Sequence, residues 1–276
     1  MYMVNKAIIP VESTILTSVF LGRDVTVDFF MPFKNSSPEP ISLLLINDGQ
    51  NMEELGLATI LTDLYRQQLL QPICCIGIHC GEDRKNEYGT ANTPDFKGRG
   101  AKATAYTQFI FQELLPFVRK KTGITIFKDK SFAGFSLGGL SALDIVWNHP
   151  QEFIKAGVFS GSLWWRSKGL DDGYVEEKDR IMHAQVRNGT YHPWLKFFFE
   201  TGTMDETEDR NNNGIIDSID DTLGLIEELK NKGYKLSDDI QYLELKDGRH
   251  DVKTWAKAMP AFLQWGWGTY DKVSNL

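Results

Sequence analysis

The chain has 276 residues, of which 42% are hydrophobic and 12% aromatic, enough for one large α/β domain or two small ones. Its formal net charge of −7 at pH 7 argues against nucleic acid or an anionic membrane surface as the main partner. No apolar run approaches the roughly 20 residues that a membrane-spanning helix needs, so we expect no membrane insertion.

The first residues, MYMVNKAIIPVEST, lack the basic, apolar and small-residue order of a signal peptide. We therefore expect a cytoplasmic location for the chain as written, or a periplasmic or extracellular one if a leader has been removed. The three cysteines, Cys74, Cys75 and Cys80, are bunched without the spacing of a disulfide framework. They indicate reduced, buried thiols.

The first elements in chain order are a predicted β-hairpin, formed by STILTSVFLG and DVTVDFFMP and turned at Gly22-Arg23. A turn is predicted at NSSPEP, and it is followed by ISLLLIN, a continuous apolar run typical of a buried parallel strand. Helical spacing then runs through LATILTDLYRQQLL, and the next strand is PICCIGI.

A long loop, GEDRKNEYGTANTPDFKGRG, leads to the predicted helix AKATAYTQFIFQELLPFVRKK. The later predicted strands are DKSFAGFS, KAGVFSG, WLKFFFETG and DIQYLEL, and the later helices are GGLSALDIVWNH, SIDDTLGLIEELKNKG and DVKTWAKAMPAFLQWGWG. Strands that alternate with helices predict right-handed βαβ units and a mainly parallel sheet of about eight strands, covered by helices on both faces. We expect a single domain over residues 1–276, with the irregular segment 163–193 as a cap inserted within it.

A G-x-S-x-G motif at residues 134–138 stands between a predicted strand and a predicted helix, which is the context this motif requires. The turn is sharp, so Ser136 is expected in a strained conformation, with its hydroxyl clear of the carboxyl end of the sheet. The motif therefore predicts a serine nucleophile. The alternative is a glycine-rich turn with an incidental serine.

Two backbone N–H groups are candidates for holding an oxyanion. Leu137 begins the helix after the nucleophile, where N–H groups point at the same space as the serine. Gln50 follows the buried strand LLLIN, with Gly49 as the alternative donor. The sequence NDG at this point also suits an ordinary turn.

Five segments together resemble the putative-esterase family of α/β-hydrolases: LLLINDGQN, EDRKNEYG, FIFQELLPFV, AGFSLGGLSAL and FSGSLWW. The resemblance covers about residues 40–265. It implies the α/β-hydrolase fold, no organic cofactor, and a triad in the chain order serine, acid, histidine. Because the family includes enterochelin, feruloyl and other esterases, some of which transfer acyl groups, the resemblance does not fix the substrate.

The order of the triad asks for a histidine after the last strand, and His250 follows that strand and matches the family position. Asp205 comes just past the strand WLKFFFETG and is placed like the family's acid. It would orient the imidazole of His250 and stabilise the imidazolium. Glu206 is adjacent but is expected to point elsewhere, and Glu200 still lies within the strand.

The acidic run that follows matches the ligand spacing of a calcium loop, with Gly214 at the position where such a loop turns sharply. The predicted ligands are Asp209, Asn211, Asn213, the Ile215 carbonyl, Asp217 and Asp220. The last ligand is Asp220 rather than the usual glutamate, and a strand precedes the loop, so it resembles an isolated dockerin-type site. The alternative is a turn rich in Asn, Asp and Gly. We expect a structural Ca²⁺ that offsets the repulsion of this run and holds Asp205 in place.

The predicted pocket includes Trp164 and Trp165, which open the cap segment near Ser136 and could receive an aromatic or sugar ring. Core packing is the alternative for one of them. Arg84 could meet an acidic group of the substrate, or could only pair with Glu87 on the surface. The sequence thus predicts a serine carboxylester hydrolase for a small-molecule or carbohydrate ester, with acyl transfer or a catalytically silent binding module as alternatives. The oligomeric state stays open.

Overall fold

The central feature is one eight-stranded sheet in a computed structural model that describes residues 8–32 and 40–269. The strands are β1 Val11–Ser18, β2 Arg23–Phe30, β3 Ser42–Asn47, β4 Ile73–Ile78, β5 Lys130–Phe135, β6 Lys155–Phe159, β7 Lys196–Met204 and β8 Ile240–Arg249. Their spatial order is β1-β2-β4-β3-β5-β6-β7-β8. Only the β1–β2 and β2–β4 pairs are antiparallel, so the mainly parallel sheet of about eight strands is confirmed.

The helices of the described residues flank this sheet. They are α1 Met52–Leu55, α2 Leu57–Arg66, α3 Arg84–Glu87, α4 Ala103–Phe109, α5 Leu115–Thr122, α6 Leu137–Asn148, α7 Glu176–Asp179, α8 Ile181–Asn188, α9 Asp217–Lys232 and α10 Val252–Trp267. No helix in residues 8–32 and 40–269 is long and apolar enough to cross a bilayer.

Three local predictions need correction, and one cannot be judged. The helix predicted over 101–121 is not uniform, because a π-helical stretch, Ile110–Leu114, separates α4 from α5. The helix predicted over 57–70 ends at Arg66, since Gln68 takes a positive φ of 59° that a right-handed helix does not allow. The long loop predicted over 81–100 contains the short helix α3. The turn predicted at NSSPEP lies, apart from its last residue, outside the described residues.

Two hydrophobic clusters cover the two faces of the sheet. In β3, Leu43 and Leu45 belong to the cluster on one face, and Leu44 and Ile46 to the cluster on the other. This division follows from the alternation of side chains along a strand. Because β3 is buried along its whole length, each of these side chains contributes roughly 1.5–3 kcal/mol by leaving water. The apolar run in the sequence is therefore explained by burial on both faces.

The six parallel strands, β3 to β8, end at one edge of the sheet, which we call the carboxyl edge. At this edge β7 and β8 are in close contact at Gly202, where an added Cβ would lie 2.4 Å from the carbonyl carbon of Gly248. The register then resumes with Met204 opposite Arg249. Asp205 follows Met204 at the end of β7, and His250 follows Arg249 at the end of β8. The backbone therefore brings the predicted acid and base side by side.

The segment 163–193 lies between β6 and β7 and contains α7 and α8. It is tied to α9, because Nε2 of the buried His183 lies 2.8 Å from the carbonyl oxygen of Asp221. Its role as a cap stays a prediction. Of the three cysteines, Cys74 and Cys75 are buried as expected, whereas Cys80 is only half-buried at the end of β4.

Candidate active site

Ser136 occupies the turn between β5 and α6 with φ 54° and ψ −122°. Such a conformation costs a non-glycine residue on the order of 1–3 kcal/mol, and the surrounding structure must hold it in place. The turn depends on glycine, because a Cβ at Gly134 would lie 2.3 Å from the carbonyl oxygen of Gly138. The N–H of Ser136 donates to the carbonyl of Phe159 at 2.8 Å, which anchors the turn to β6. This is the strained turn that the motif predicts.

A second serine stands beside the nucleophile position. The hydroxyl oxygens of Ser136 and Ser162 are 3.3 Å apart, and the N–H of Ser162 donates to the carbonyl of Ser136 at 3.1 Å. The sequence reasoning did not select Ser162. The signal was available, since the segment FSGS ends the strand next to β5 and parallel strands end at the same edge.

The two predicted oxyanion donors come from segments that touch. Leu137 is the first residue of α6, a position whose N–H has no partner within the helix. Gln50 lies in the short 3₁₀ turn after β3 and is fixed by Cys80, whose N–H donates to Gln50 Oε1 at 3.1 Å. Asp48, two residues before Gln50, reaches the start of α6, where its Oδ2 lies 2.5 Å from the site of a Cβ on Gly138. That both N–H groups hold an oxyanion stays a prediction.

Arg84 has a different partner from the one predicted. Its Nε and Nη2 donate to the two carboxylate oxygens of the buried Asp48, at 2.7 and 2.8 Å. Nη2 also lies 3.3 Å from the carbonyl oxygen of Phe135, the residue before Ser136. The pairing with Glu87 is wrong, because Glu87 is buried and forms its ion pair with Arg23. Arg84 therefore braces the loop after β3 against the nucleophile turn, and its contact with substrate stays a prediction.

Asp205 offers a free acceptor beside His250. Its Oδ2 accepts from the N–H of Gly202 at 3.1 Å, whereas its Oδ1 is buried without a hydrogen-bond partner among the described residues. The imidazole of His250 packs edge-on against Trp255, with the ring centroids 5.5 Å apart. An unpaired buried carboxylate oxygen is costly, so Oδ1 has a physical reason to take an N–H from a neighbouring imidazole.

The protonation states suit a base and its acid partner. Burial lowers the pKa of His250, and the neighbouring Asp205 acts in the opposite direction. At neutral pH this favours the neutral imidazole, which is the form that accepts a proton. Burial raises the pKa of Asp205, while the N–H of Gly202 and the charge of His250 oppose that rise.

Glu206 lies against Ser218 near the start of α9. It accepts from the backbone N–H of Ser218 in α9, and its Oε1 is buried without a hydrogen-bond partner among the described residues. Burial raises the pKa of Glu206 to about 7. The carboxyl groups of Asp205 and Glu206 are adjacent in the sequence but thus lie in different surroundings.

The predicted calcium loop forms a compact turn between β7 and α9. The two carboxylate oxygens of Asp209 accept from the N–H groups of Asn213 and Gly214, at 3.0 and 2.9 Å. The side-chain amides of Asn211 and Asn213 both donate to the carboxylate of Asp220, each at 3.1 Å. Four of the six predicted ligands are therefore neighbours in space.

The other two predicted ligands are held differently. The N–H of Ile215 donates to Asn213 Oδ1 at 2.8 Å, and Asp217 Oδ1 accepts from the backbone N–H of Arg210 at 2.9 Å and from its guanidinium at 3.1 Å. In the described part of the chain, no group of three or more His, Cys, Asp or Glu side chains is placed to hold a metal ion. A bound ion would therefore depend on the Asn and backbone oxygens as well as on the carboxylates.

The paired tryptophans differ in exposure. Trp165 is 0% exposed, and its indole N–H lies 3.5 Å from the carbonyl oxygen of Thr93, so core packing accounts for it. Trp164 is partly exposed, and the guanidinium of Arg99 lies 4.9 Å from the centre of its ring. Of the two, Trp164 is the one with a face that a ligand can reach.

A mainly parallel sheet with a strained serine turn between β5 and α6 is the architecture of an α/β-hydrolase. The arrangement of the elements and the serine turn therefore define the class.

The chain belongs to the putative esterase family, whose pattern it matches over residues 18–265. It is 28% identical over 157 residues to the iron(III) salmochelin esterase of Escherichia coli O6:H1, an alignment that covers 55% of this chain and 36% of that protein.

Solved structures share the fold at lower identity. The enterochelin esterase from Shigella flexneri superposes with a TM-score of 0.69 at 22% identity, covering 93% of this chain and 57% of that one. The siderophore hydrolase EstB from Aspergillus nidulans gives 0.67 at 15% identity, with 94% and 97% covered. A ferulic acid esterase gives 0.62 at 17% identity, with 93% and 96% covered. The chain thus spans little more than half the length of the Shigella enterochelin esterase.

Proposed function

We propose that this chain is a serine carboxylester hydrolase that acts through Ser136, His250 and Asp205. The observation that carries the proposal is the strained conformation of Ser136 at the start of α6, with φ 54°. Strain of this kind persists only where the surrounding structure imposes it, and it clusters at functional sites. Membership of the putative esterase family supports the same conclusion.

The proposed reaction assigns a step to each of these side chains. Ser136 Oγ attacks the ester carbonyl while His250 takes its proton, and the N–H groups of Leu137 and Gln50 hold the oxyanion. The free Oδ1 of Asp205 accepts from the imidazole and stabilises it when it is charged. His250 then gives the proton to the leaving alcohol, and water releases the acyl group from Ser136 by the same steps.

The proposed substrate is a small-molecule or carbohydrate ester, which Trp164 in the cap segment and Arg84 would help to bind. The relatives named as a salmochelin esterase and a siderophore hydrolase, and the ferulic acid esterase, support a siderophore or feruloyl ester. We expect a panel of acetyl, aryl, feruloyl and catecholate esters to show hydrolysis, with a preference for the aromatic members. Turnover that rises with a sugar or lipid acceptor while hydrolysis falls would favour acyl transfer, and failure on every ester would favour a silent binding module.

We further propose that the loop from Asp209 to Asp220 holds a structural Ca²⁺. Three carboxylates with two neutral asparagines and a divalent ion leave a net charge near −1, and ligands that are all oxygen favour calcium over zinc. The convergence of Asn211, Asn213 and Asp220 supports the site. The ion would hold the segment that begins at Asp205, so it would support the acid of the triad without taking part in the reaction.

Calcium is expected to raise the melting temperature of protein that has been stripped of metal, because an ion that binds only the folded state adds about 2.7 kcal/mol at 100 times its dissociation constant. Chelation should lower both stability and turnover. Asp209→Ala should remove the response to calcium, whereas Asp238→Ala, at an exposed position outside the loop, should keep it. Calorimetric titration that shows no calcium binding to the stripped and fully active protein would contradict the proposal.

A further inference from the structure

Glu200 is a buried carboxyl group that the proposed reaction does not use. It lies in β7, where its neighbours across the sheet are Phe159 in β6 and Leu243 in β8. Only 1% of the residue is exposed, and its Oε1 has no hydrogen-bond partner among the described residues. Within that part of the chain it forms no ion pair with a lysine, arginine or histidine. A carboxyl group in such a place needs a physical explanation.

The residue that links Glu200 to the active site is Ser160. Its N–H donates to the carbonyl of Glu200 at 2.8 Å, and its hydroxyl lies 3.5 Å from Glu200 Oε2. The same hydroxyl accepts from the indole N–H of Trp255 at 3.0 Å and interacts with the carboxylate of Asp205. Ser160 also has a positive φ of 44°, so the structure imposes this arrangement.

The surroundings favour the neutral form of Glu200. Transfer of an isolated carboxylate to an apolar interior is so unfavourable that the group takes up a proton instead. A second carboxylate nearby acts in the same direction, since two like charges cannot share a site without cost. Burial, followed by the charge of Asp205, raises the pKa of Glu200 to about 8.

The other groups packed around Glu200 supply no compensating positive charge. Leu243 lies opposite it in β8, whereas Tyr242 pairs with Phe199, has its hydroxyl engaged with Thr201 at 2.6 Å, and so lies on the other face of the sheet. The element α10 contributes Trp255, and the residue that follows β6 is Ser160, neither of which is charged. His250 lies beyond Asp205, with which it interacts.

We propose that Glu200 is a positioning residue for Asp205: a neutral carboxylic acid that shares the Ser160 hydroxyl with Asp205 and leaves the negative charge of the site on Asp205 alone. This rests on the proposed function, in which Asp205 is the acid of the triad. A charged Glu200 would repel Asp205 and compete for Ser160, so the acid would no longer be held against His250.

The protonation of Glu200 has a consequence for stability that does not depend on activity. The ordinary pKa of a glutamate is 4.5, so between that value and about 8 the folded protein holds a proton that the unfolded chain has lost. Raising the pH through this window therefore favours unfolding, and the effect ends above the folded pKa. Glu200→Gln keeps the shape and lacks this proton, so its stability should decline less over the same window.

The measurement is urea unfolding of the wild type, Glu200→Gln and the exposed control Glu54→Gln at intervals from about pH 5 to 9, chosen to span that window. Glu54→Gln should follow the wild type, while the midpoint of Glu200→Gln should rise relative to the wild type up to pH 8 and then run parallel to it. Other buried carboxyl groups, such as Asp144 and Glu206, are common to all three proteins and cancel. If the urea midpoints of Glu200→Gln and the wild type change in parallel over the whole pH range, the proposal is overturned.

The same variants separate positioning from packing in a kinetic test. One pH unit above the pKa of Glu200, only about a tenth of the wild type keeps the neutral form, so kcat/KM should be about tenfold below its plateau. In Glu200→Gln, kcat/KM at this pH should stay close to the plateau value of kcat/KM for that variant. Glu200→Met also lacks the charge but cannot hydrogen bond, so Glu200→Gln should turn over faster than Glu200→Met. An equal alkaline decline in the wild type and Glu200→Gln would contradict the positioning role.

The two proposals can fail separately. If Ser136→Ala is inactive but the Glu200→Gln unfolding curve parallels that of the wild type, the esterase mechanism stands and the role of Glu200 falls. If Ser136→Ala stays active while Glu200→Gln loses the pH slope, Glu200 is neutral but serves no triad. If Glu200→Gln does not fold, Glu200→Met provides the same test of the pH slope.

Discussion

Ser136→Ala is expected to lower kcat/KM on any ester that the wild type hydrolyses by about four to six orders of magnitude. Without the hydroxyl no acyl-enzyme can form, and only the oxyanion donors and substrate binding remain. The fold should survive, because alanine has the same Cβ as serine and meets the same backbone strain at φ 54°.

The assay should compare initial rates on p-nitrophenyl acetate and on the preferred member of the ester panel, with melting temperatures measured alongside. Ser237→Ala is a matched control, since Ser237 also has a positive φ, 69°, and lies in an exposed turn away from the site. This control should keep the wild-type rate. Near wild-type activity of Ser136→Ala would remove Ser136 from the mechanism.

Asp205→Asn is expected to lower kcat by about 10⁴, with little change in stability. The amide keeps the shape of the carboxylate, but it cannot fix the imidazole tautomer or stabilise the imidazolium. The oxygen that would bind the imidazole is Oδ1 of Asp205, which has no hydrogen-bond partner among the described residues. Asp205 follows β7, and β7 pairs with β8, the strand that leads to His250. Steady-state kinetics at a pH where the wild type is on its plateau provide the measurement.

Glu206→Gln is the matched control for this prediction, because it makes the same chemical change one residue later. Its side chain accepts from the N–H of Ser218, so kcat should stay within about twofold of the wild type. If Glu206→Gln is the variant that loses activity, the acid has been placed one residue too early at the end of β7.

The fold could be predicted because its signals are local. The apolar run of β3, the alternation of strands and helices, and the glycines around Ser136 each report on a few adjacent residues. The π-helical stretch Ile110–Leu114 could not be predicted, because its sequence fits the helical period on either side and the extra residue per turn is decided by packing.

Residues of the candidate site could be predicted only where their order along the chain was sufficient to select them. Ser136, Asp205 and His250 follow β5, β7 and β8, and the parallel sheet brings the ends of those strands to one edge. The partner of Arg84 could not be foreseen in this way, since Asp48 is distant in sequence and looked like part of a turn. The pair forms because β3 lies between β4 and β5, a strand order that the sequence does not display.

Glu200 shows the same limit for a single residue. In the sequence it is one polar residue within an aromatic strand, and nothing local shows that it is 1% exposed or that the hydroxyl of Ser160 lies 3.5 Å from its Oε2. Its environment is built by β6, β8 and α10 together.

Covalent labelling with a fluorophosphonate tests the central claim most directly, because the reagent reacts with an activated serine and needs no knowledge of the substrate. We expect one adduct per chain on the peptide that contains Ser136, greatly slowed labelling in His250→Ala, and none in Ser136→Ala. An unlabelled wild type, or an adduct that persists on Ser162 or another serine in Ser136→Ala, would contradict the assignment of Ser136 as the nucleophile.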